Sequence, residues 1–423
     1  MADNLEINNP GNTVVFAQGV FQKVQADRNP LNLISGPMPT VSAEQPTGQS
    51  PPGPAVVRCT DLTKGWSDTV QFTLINPLHG KPIMGNQKVT GQETTSEQVY
   101  DRIQVNRSRK RTVVEFMAQH RTVVDQRIVA QRELGEYYIR LTDQRKIVHA
   151  AGARGFQRLK DWEVPLQSDP SFADVMINPV LAPTRNRRFV MNSGALVTGG
   201  TVASVGASDI LSLQDVSDVI AHLQHSENPL MPVVMDSEYD WEPAFVMFVQ
   251  SEVWELMKRP KALVDWKGAM AATNAWFMGK KKHPLFDGQS IMWGRVLIKP
   301  FTRYSISFPA GSTVISDTGG TDGVTYTETT ETVGAYPVAR SIILGAQALI
   351  EAFGSLGSDE YMWKWHEEMV DAESDLAITV STIDGVKKAR FRVDGIDTDL
   401  GVATIDSYAP PSLTAAYHTA MAL

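Results

Sequence analysis

An α+β fold with long projecting parts is what this 423-residue sequence predicts. Three observations carry that prediction. Prolines crowd the first 60 residues, two alternating segments flank a turn-rich stretch near residue 80, and a proline-free run over 118–150 has helical spacing.

Pro30, Pro37, Pro39, Pro46, Pro51, Pro52 and Pro54 stand among Gly, Ser, Gln and Asn in residues 1–60. Proline lacks the amide donor and fixes φ, so such a stretch resists both helix and ladder. An extended arm is expected, disordered in an isolated subunit until a partner surface orders it. From Trp66 the pattern turns to alternation, with Val70, Phe72 and Leu74 on one face of DTVQFTLIN, followed by the turn-rich NPLHGKPIMGNQKVTGQ. The chain returns through Val99, Ile103, Val105, Val113, Val114 and Phe116. A long two-stranded finger is expected, and an isolated ribbon of this kind is marginal in water unless it lies against something else.

Over 118–150, Val124, Ile128, Leu134, Tyr138, Leu141 and Val148 recur mostly at gaps of 3, 4 or 7. This predicts one amphipathic helix of roughly 45 Å at 1.5 Å per residue. Its other faces mix Arg121, Arg127, Arg132, Arg140 and Arg145 with Asp125, Glu133, Glu136 and Asp143, and Gly152 and Gly155 follow its end. Residues 208–335 read as mixed α/β. Leu211, Val216, Val219, Ile220 and Leu223 have helical spacing, Phe245 to Val249 reads as a buried strand, and an amphipathic helix follows Glu252. IMWGRVLIKP reads as a strand and GGTDGVTYTETTETVG as an exposed loop or hairpin. Near the end, ARSIILGAQALIEAFG reads as a short apolar helix, and LAITVSTIDGVKKARF as a hairpin turning at Asp384 and Gly385.

The formal net charge of -8 argues against binding nucleic acid over a broad surface, so any DNA contact is expected to be local. The single cysteine, Cys59, forms no disulfide within the chain, which fits folding in a reducing cytoplasm, and no base stands near it in sequence to make it a nucleophile. The start MADNLEINNPGN has no basic segment followed by an apolar core, and no window reaches a membrane span, so neither export nor insertion is expected.

No phosphate-cradling G-x-x-x-x-G-K-[ST], no G-x-S-x-G and no H-E-x-x-H is present, and no cofactor or catalytic group is expected. His222 and His225 have a spacing that some zinc sites use, but no third ligand accompanies them, and an ordinary polar helix face is the simpler reading. Trp363, Trp365 and His366 with Glu367 and Glu368 have the residue types of a sugar site, against which stands a plain core and helix surface. Asp394, Asp397 and Asp399 lack the D-x-D-x-D-G spacing and distal Glu of a calcium loop and read instead as an acidic segment for a basic partner. Arg107, Arg109, Lys110 and Arg111 form a dense cationic cluster. It suits a solvated charge run, a neighbouring subunit, or DNA.

The order of parts resembles that of a phage capsid subunit. WSDTVQFTLINPLHGKPIMG (Trp66 to Gly85), HRTVVDQRIVAQREL (His120 to Leu134), HPLFDG (His283 to Gly288), ARSIILGAQAL (Ala339 to Leu349), GVKKARF (Gly385 to Phe391) and GVATIDSYA (Gly401 to Ala409) together resemble a family of podophage-type major capsid proteins. That family is similar in fold to the Hong Kong 97-type capsid subunit. The resemblance implies an N-terminal arm at 1–60, an extended loop at 61–117, a spine helix and the start of a peripheral domain at 118–208, an axial domain at 209–335 and returning peripheral strands at 336–423.

It further implies a major capsid protein that self-assembles, through hexamers and pentamers, into an icosahedral shell around the double-stranded DNA of a tailed bacteriophage. Scaffolding and portal proteins, decoration proteins, and weak non-specific contact with packaged DNA are the implied partners, without a membrane. Assembly in the host bacterial cytoplasm and residence in the virion capsid follow. An encapsulin-like nanocompartment and a tail or polysaccharide-binding protein are the rival readings. For the cationic cluster, the resemblance implies a seat near the finger's base, over a neighbour's strands and close to Asp394, Asp397 and Asp399.

Overall fold

The predicted long helix breaks at Asp125. In the computed structural model, which describes residues 30–37, 53–59, 68–75, 81–91, 98–122, 125–156, 162–234, 244–258, 267, 270, 290–301, 304, 306–320, 325–354, 363–371, 375–393 and 395–409, α1 (Phe116–Arg121) precedes α2 (Gln126–Ala151). Asp125 has extended backbone and its carboxylate accepts from the Arg127 amide at 2.9 Å, which caps α2. At the other end Gly152 adopts φ 66, and a Cβ there would stand 2.5 Å from the Leu181 carbonyl oxygen. With 26 residues, α2 runs about 39 Å.

Strands supply most of the rest. β1 (Ser35–Pro37) and β2 (Val56–Cys59) precede the antiparallel pair β3 (Thr69–Ile75) and β4 (Gln98–Gln104), and β5 (Asn106–Glu115) follows. Beyond α2 come β6 (Arg188–Asn192), β7 (Ala195–Thr198), α3 (Leu213–His225), β8 (Phe245–Val249), α4 (Ser251–Met257), β9 (Ile291–Trp293) and β10 (Val296–Pro300). Next are β11 (Ile306–Phe308), β12 (Thr313–Asp317), β13 (Glu328–Thr332), β14 (Val338–Leu344) and β15 (Leu349–Gly354). β16 (Trp363–Val370), β17 (Asp375–Lys388), β18 (Arg390–Val393), β19 (Ile396–Asp399) and β20 (Val402–Tyr408) complete the order.

A six-stranded sheet is built around β17. On one side of it β15 and β16 lie end to end, with Gly354 opposite Ile383 and Trp363 opposite the adjacent Thr382. β5 pairs with the other side, and β2 and β1 extend the sheet beyond β15. The second sheet has eight strands in the order β7-β6-β20-β14-β8-β10-β9, with β11 also on β14. α2 spans both. Leu134, Tyr138 and Leu141 pack with Trp363, Trp365, Ile378 and Val380 of the first sheet, whereas Ile147, Ala150 and Ala151 join Phe308 and Ile342 of the second. Each large apolar side chain so buried contributes roughly 1.5–3 kcal/mol, so packing rather than helix propensity holds α2 in place.

Several expectations are corrected. From Leu141 onward every α2 residue is buried, and its charges are paired internally: Arg145 with Asp384 at 2.7 Å and Lys146 with Glu351 at 3.1 Å. The segment 339–354 is not a helix but β14 and β15, since pairing on both edges and burial on both faces favour an extended run of Ile and Leu. Asp384 and Gly385 are not a turn. β17 runs straight through them, because Asp384 is held by Arg145 and Gly385 leaves room for the Gln104 carbonyl oxygen, 2.2 Å from where a Cβ would stand.

Two boundaries shift as well. The finger's return strand ends at Gln104, and β5 belongs to the six-stranded sheet of the body. Within the expected arm, β1 and β2 pair with the chain's own sheet, with Pro37 at its edge, where the missing amide costs least. The eight-stranded sheet draws β6 and β7 from 118–208, β8 to β11 from 209–335, and β14 and β20 from 336–423. The implied boundaries therefore cut across one sheet. IMWGRVLIKP is a hairpin, β9 and β10, and the Thr-rich stretch contributes β13 to a hairpin with β12. HPLFDG lies outside the described residues.

Candidate subunit-contact surface

β5 pairs with β17 over ten residues, from Asn106 opposite Asp384 to Glu115 opposite Asp375. Side chains alternate along it, and contacts identify the faces. Lys110 Nζ sits 4.6 Å from the centre of the Tyr137 ring on α2, and Ser108 Oγ donates at 3.5 Å to Asp384, which Arg145 of α2 also holds. Lys110 therefore faces the helix. Arg107, Arg109 and Arg111 face away, so the cationic cluster divides three to one.

On that outer face the ladder aligns Arg109 with Ser381 and Lys364, and Arg111 with Thr379 and His366. Strands lie about 4.8 Å apart, so two basic ridges stand about 10 Å apart across the small residues of β17. Lys364 and His366 are functional candidates that sequence reasoning missed. Their signal was the alternation in WKWHEE, where Trp363, Trp365 and Glu367 are buried and Lys364, His366 and Glu368 are exposed. Arg111 reaches Glu368 at 3.3 Å, with both side chains about half exposed, so the pair contributes at most a few tenths to 1 kcal/mol. The Arg107 and Arg109 side chains meet no partner among the described residues.

The same face is closed at its other end by the finger's own base. Phe72, Ile103 and Val105 pack there with Cys59, Ile350 and Ala352, and Cys59 is a buried thiol. One half of the sheet is thus covered from within the chain, and on the other half, among the described residues, Arg109, Arg111, Lys364 and His366 stand exposed.

Within the acidic segment, Asp399 is an internal partner and not a surface one. Asp394 lies outside the described residues, and Asp397 accepts from the Tyr326 amide at 2.9 Å. Asp399 is fully buried, 2.7 Å from both Lys388 Nζ and Arg390 Nε. Burial would raise its pKa, but Arg390 and Lys388 together hold it below the usual carboxylate range. Burial in turn pulls Lys388 down to about 8. Offering Asp399 to another subunit would strand two buried cations, which corrects the expectation that it faces a neighbour.

The other singled-out residues are structural where described. His222 meets Phe189 edge-on, and His225 Nδ1 lies 2.8 Å from the Ala221 carbonyl oxygen. Among the described residues no three His, Cys, Asp or Glu side chains are grouped to hold a metal ion, and no helix is long and apolar enough to cross a membrane. Trp363 and Trp365 are core residues, as expected, but on a strand rather than a helix, with His366 and Glu368 on its exposed face.

A family model described as phage capsid protein matches residues 8–411. The chain belongs to this phage capsid protein family. No curated protein sequence matches the capsid protein. Solved structures do. The capsid of Ralstonia phage GP4 is similar with a TM-score of 0.64 and 22% identity, over 88% of this chain and 95% of that one. The cyanophage Pam1 capsid follows at 0.59 and 18%, over 89% and 96%. The acid-stable capsid of Helicobacter pylori bacteriophage KHP30 gives 0.57 and 12%, over 90% and 91%. The fold is the Hong Kong 97-type capsid fold, a mixed α and β architecture. Family and fold together make this a major capsid protein of a tailed phage, a structural subunit.

Proposed function

We propose that many copies of this capsid protein close on one another, through hexamers and pentamers, into an icosahedral shell around packaged double-stranded DNA. The role is structural and not catalytic. The observation that carries this reading is the outer face of the six-stranded sheet, where exposed Arg107 and Arg109 have no side-chain partner among the described residues of a chain whose net charge is -8. Copies of an acidic protein with a local basic face attract one another at that face and repel elsewhere, which orients weak contacts without strong ones. Repetition around a closed shell then sums modest contacts into a stable particle.

The arm within 1–60, the loop within 61–104 and the peripheral and axial domains keep their proposed roles, with β1, β2 and β5 assigned to the body and the axial unit enlarged by β6, β7, β14 and β20. Scaffolding, portal and decoration proteins and weakly bound DNA are the partners this reading expects, with assembly in the host cytoplasm. An acidic subunit also suits a container to which dense DNA must not adhere. Electron microscopy of the purified full chain after overexpression tests it. Closed icosahedral shells or partial shells are expected, whereas fibres or discrete trimers overturn the reading, and a small shell loaded with protein cargo points to a nanocompartment.

A further inference from the structure

The outer edge of β5 has no ladder partner among the described residues. Exposed strand edges are usually kept short, bulged, or broken by proline, because a long flat edge templates pairing with other chains. β5 uses none of those devices. It is ten residues long, about 33 Å, contains no proline, and stays in register with β17 at every position. Among the described residues charge is its one safeguard, with Arg107, Arg109 and Arg111 on one face and Lys110 on the other.

A charged edge excludes indiscriminate partners but selects a complementary one. Cross-strand neighbours stand about 4.5–5.5 Å apart, so an added strand with acidic residues at alternate positions would meet Arg107, Arg109 and Arg111 in turn. Val113 continues the same face and is 49% exposed, which asks the partner for an apolar residue one step further. DNA answers the charges but neither the open row of amides and carbonyls nor Val113. A protein strand answers all three.

We infer that the open edge of β5 is extended, in the assembled particle, by an extended acidic segment from a second copy of this chain. The partner is a copy because the chain is acidic overall and because the edge adjoins the open half of the proposed contact face. The inference rests on the shell-forming role proposed above and adds a main-chain ladder to it. Strand addition of this kind takes its affinity from backbone hydrogen bonds and its specificity from the alternating side chains.

Amide hydrogen exchange at single-residue resolution, on the free full-length subunit, on DNA-free shells and on filled particles, tests it. Half of the β5 amides bond to β17 and exchange slowly in every state. The other half point to the open edge, exchange quickly in the free subunit, and are expected to slow on the order of 100-fold in DNA-free shells. Arg107→Glu with Arg109→Glu should remove that slowing while the amides of β17 stay protected, which reports that the body is still folded. Outward amides that stay fast in closed shells overturn the inference, as does slowing confined to DNA-filled particles. Failure of the wild-type chain to form any shell overturns instead the assembly role on which it depends.

Discussion

Lys388 and Asp399 are both buried, and their side chains stand 2.7 Å apart where β17 meets β19. Arg390 approaches the same carboxylate from the other side, also at 2.7 Å. Removing the shared anion leaves two buried cations uncompensated. Asp399→Ala is therefore expected to destabilise the subunit by about 3–5 kcal/mol, read as a lower midpoint in urea. Lys388→Met alone should cost less, because Arg390 still satisfies Asp399.

His149 gives the fold an acid sensitivity. Burial, and then the charges of Lys388, Arg145 and Lys387, lower its pKa from 6.5 to about 3, so it stays neutral in the folded subunit. The unfolded chain takes up a proton below pH 6.5 while the folded one does not, so stability is intact above that pH and is lost as pH falls toward 3. The slope approaches about 1.4 kcal/mol per pH unit for this one group. Thermal melts of the wild type and His149→Gln from pH 7 to 5 should converge as pH falls, and parallel curves would refute the assignment.

Gly385 marks where the finger's base crosses the body. A Cβ there would stand 2.2 Å from the Gln104 carbonyl oxygen, which also accepts from Asn178 Nδ2 at 2.9 Å. Gly385→Ala must push backbone aside, and a loss of about 1–3 kcal/mol is expected in chemical denaturation. Proteolysis should then begin between β4 and β5.

Shell formation should respond to charge on the outer face. Arg109→Glu with Arg111→Glu is expected to lower shell yield, and added salt should weaken wild-type assembly in parallel, since exposed charges are screened within about 10 Å at 0.1 M. Adding Asp399→Lys should not rescue the variant but unfold it, because Asp399 is an internal partner. Normal empty shells from the arginine variant would leave DNA as the remaining partner for the row.

Limited proteolysis separates the parts of the expected arm. Residues 30–37 and 53–59 should resist cleavage in the free subunit, because β1 and β2 are paired within the chain's own sheet. Rapid cleavage within 53–59 before assembly would contradict the ladder between β2 and β15.

Local signals made much of this legible. Alternation at Val70, Phe72 and Ile103 marks the finger's base, FVMFV marks β8, and the spacing of Val216 to Leu223 marks α3. What misled was composition read without partners. Ala339 to Gly354 is apolar all along, which suits a buried helix and a strand buried on both faces equally, and only pairing with β8, β17 and β20 decides between them. Asp384 and Gly385 have turn chemistry, but a distant Arg145 and a crossing Gln104 override it. The cationic cluster was visible as a run of residues. Its division between faces and its alliance with Lys364 and His366 depend on a register set over 250 residues away in sequence.

β15 ends at Gly354 opposite Ile383 and β16 begins at Trp363 opposite the adjacent Thr382, so the two strands together fill one whole side of β17 without a gap. A side occupied rung by rung has no amide or carbonyl left to offer a foreign strand. In evolutionary terms that side of β17 is sealed, and any new pairing partner must come to another edge of the sheet.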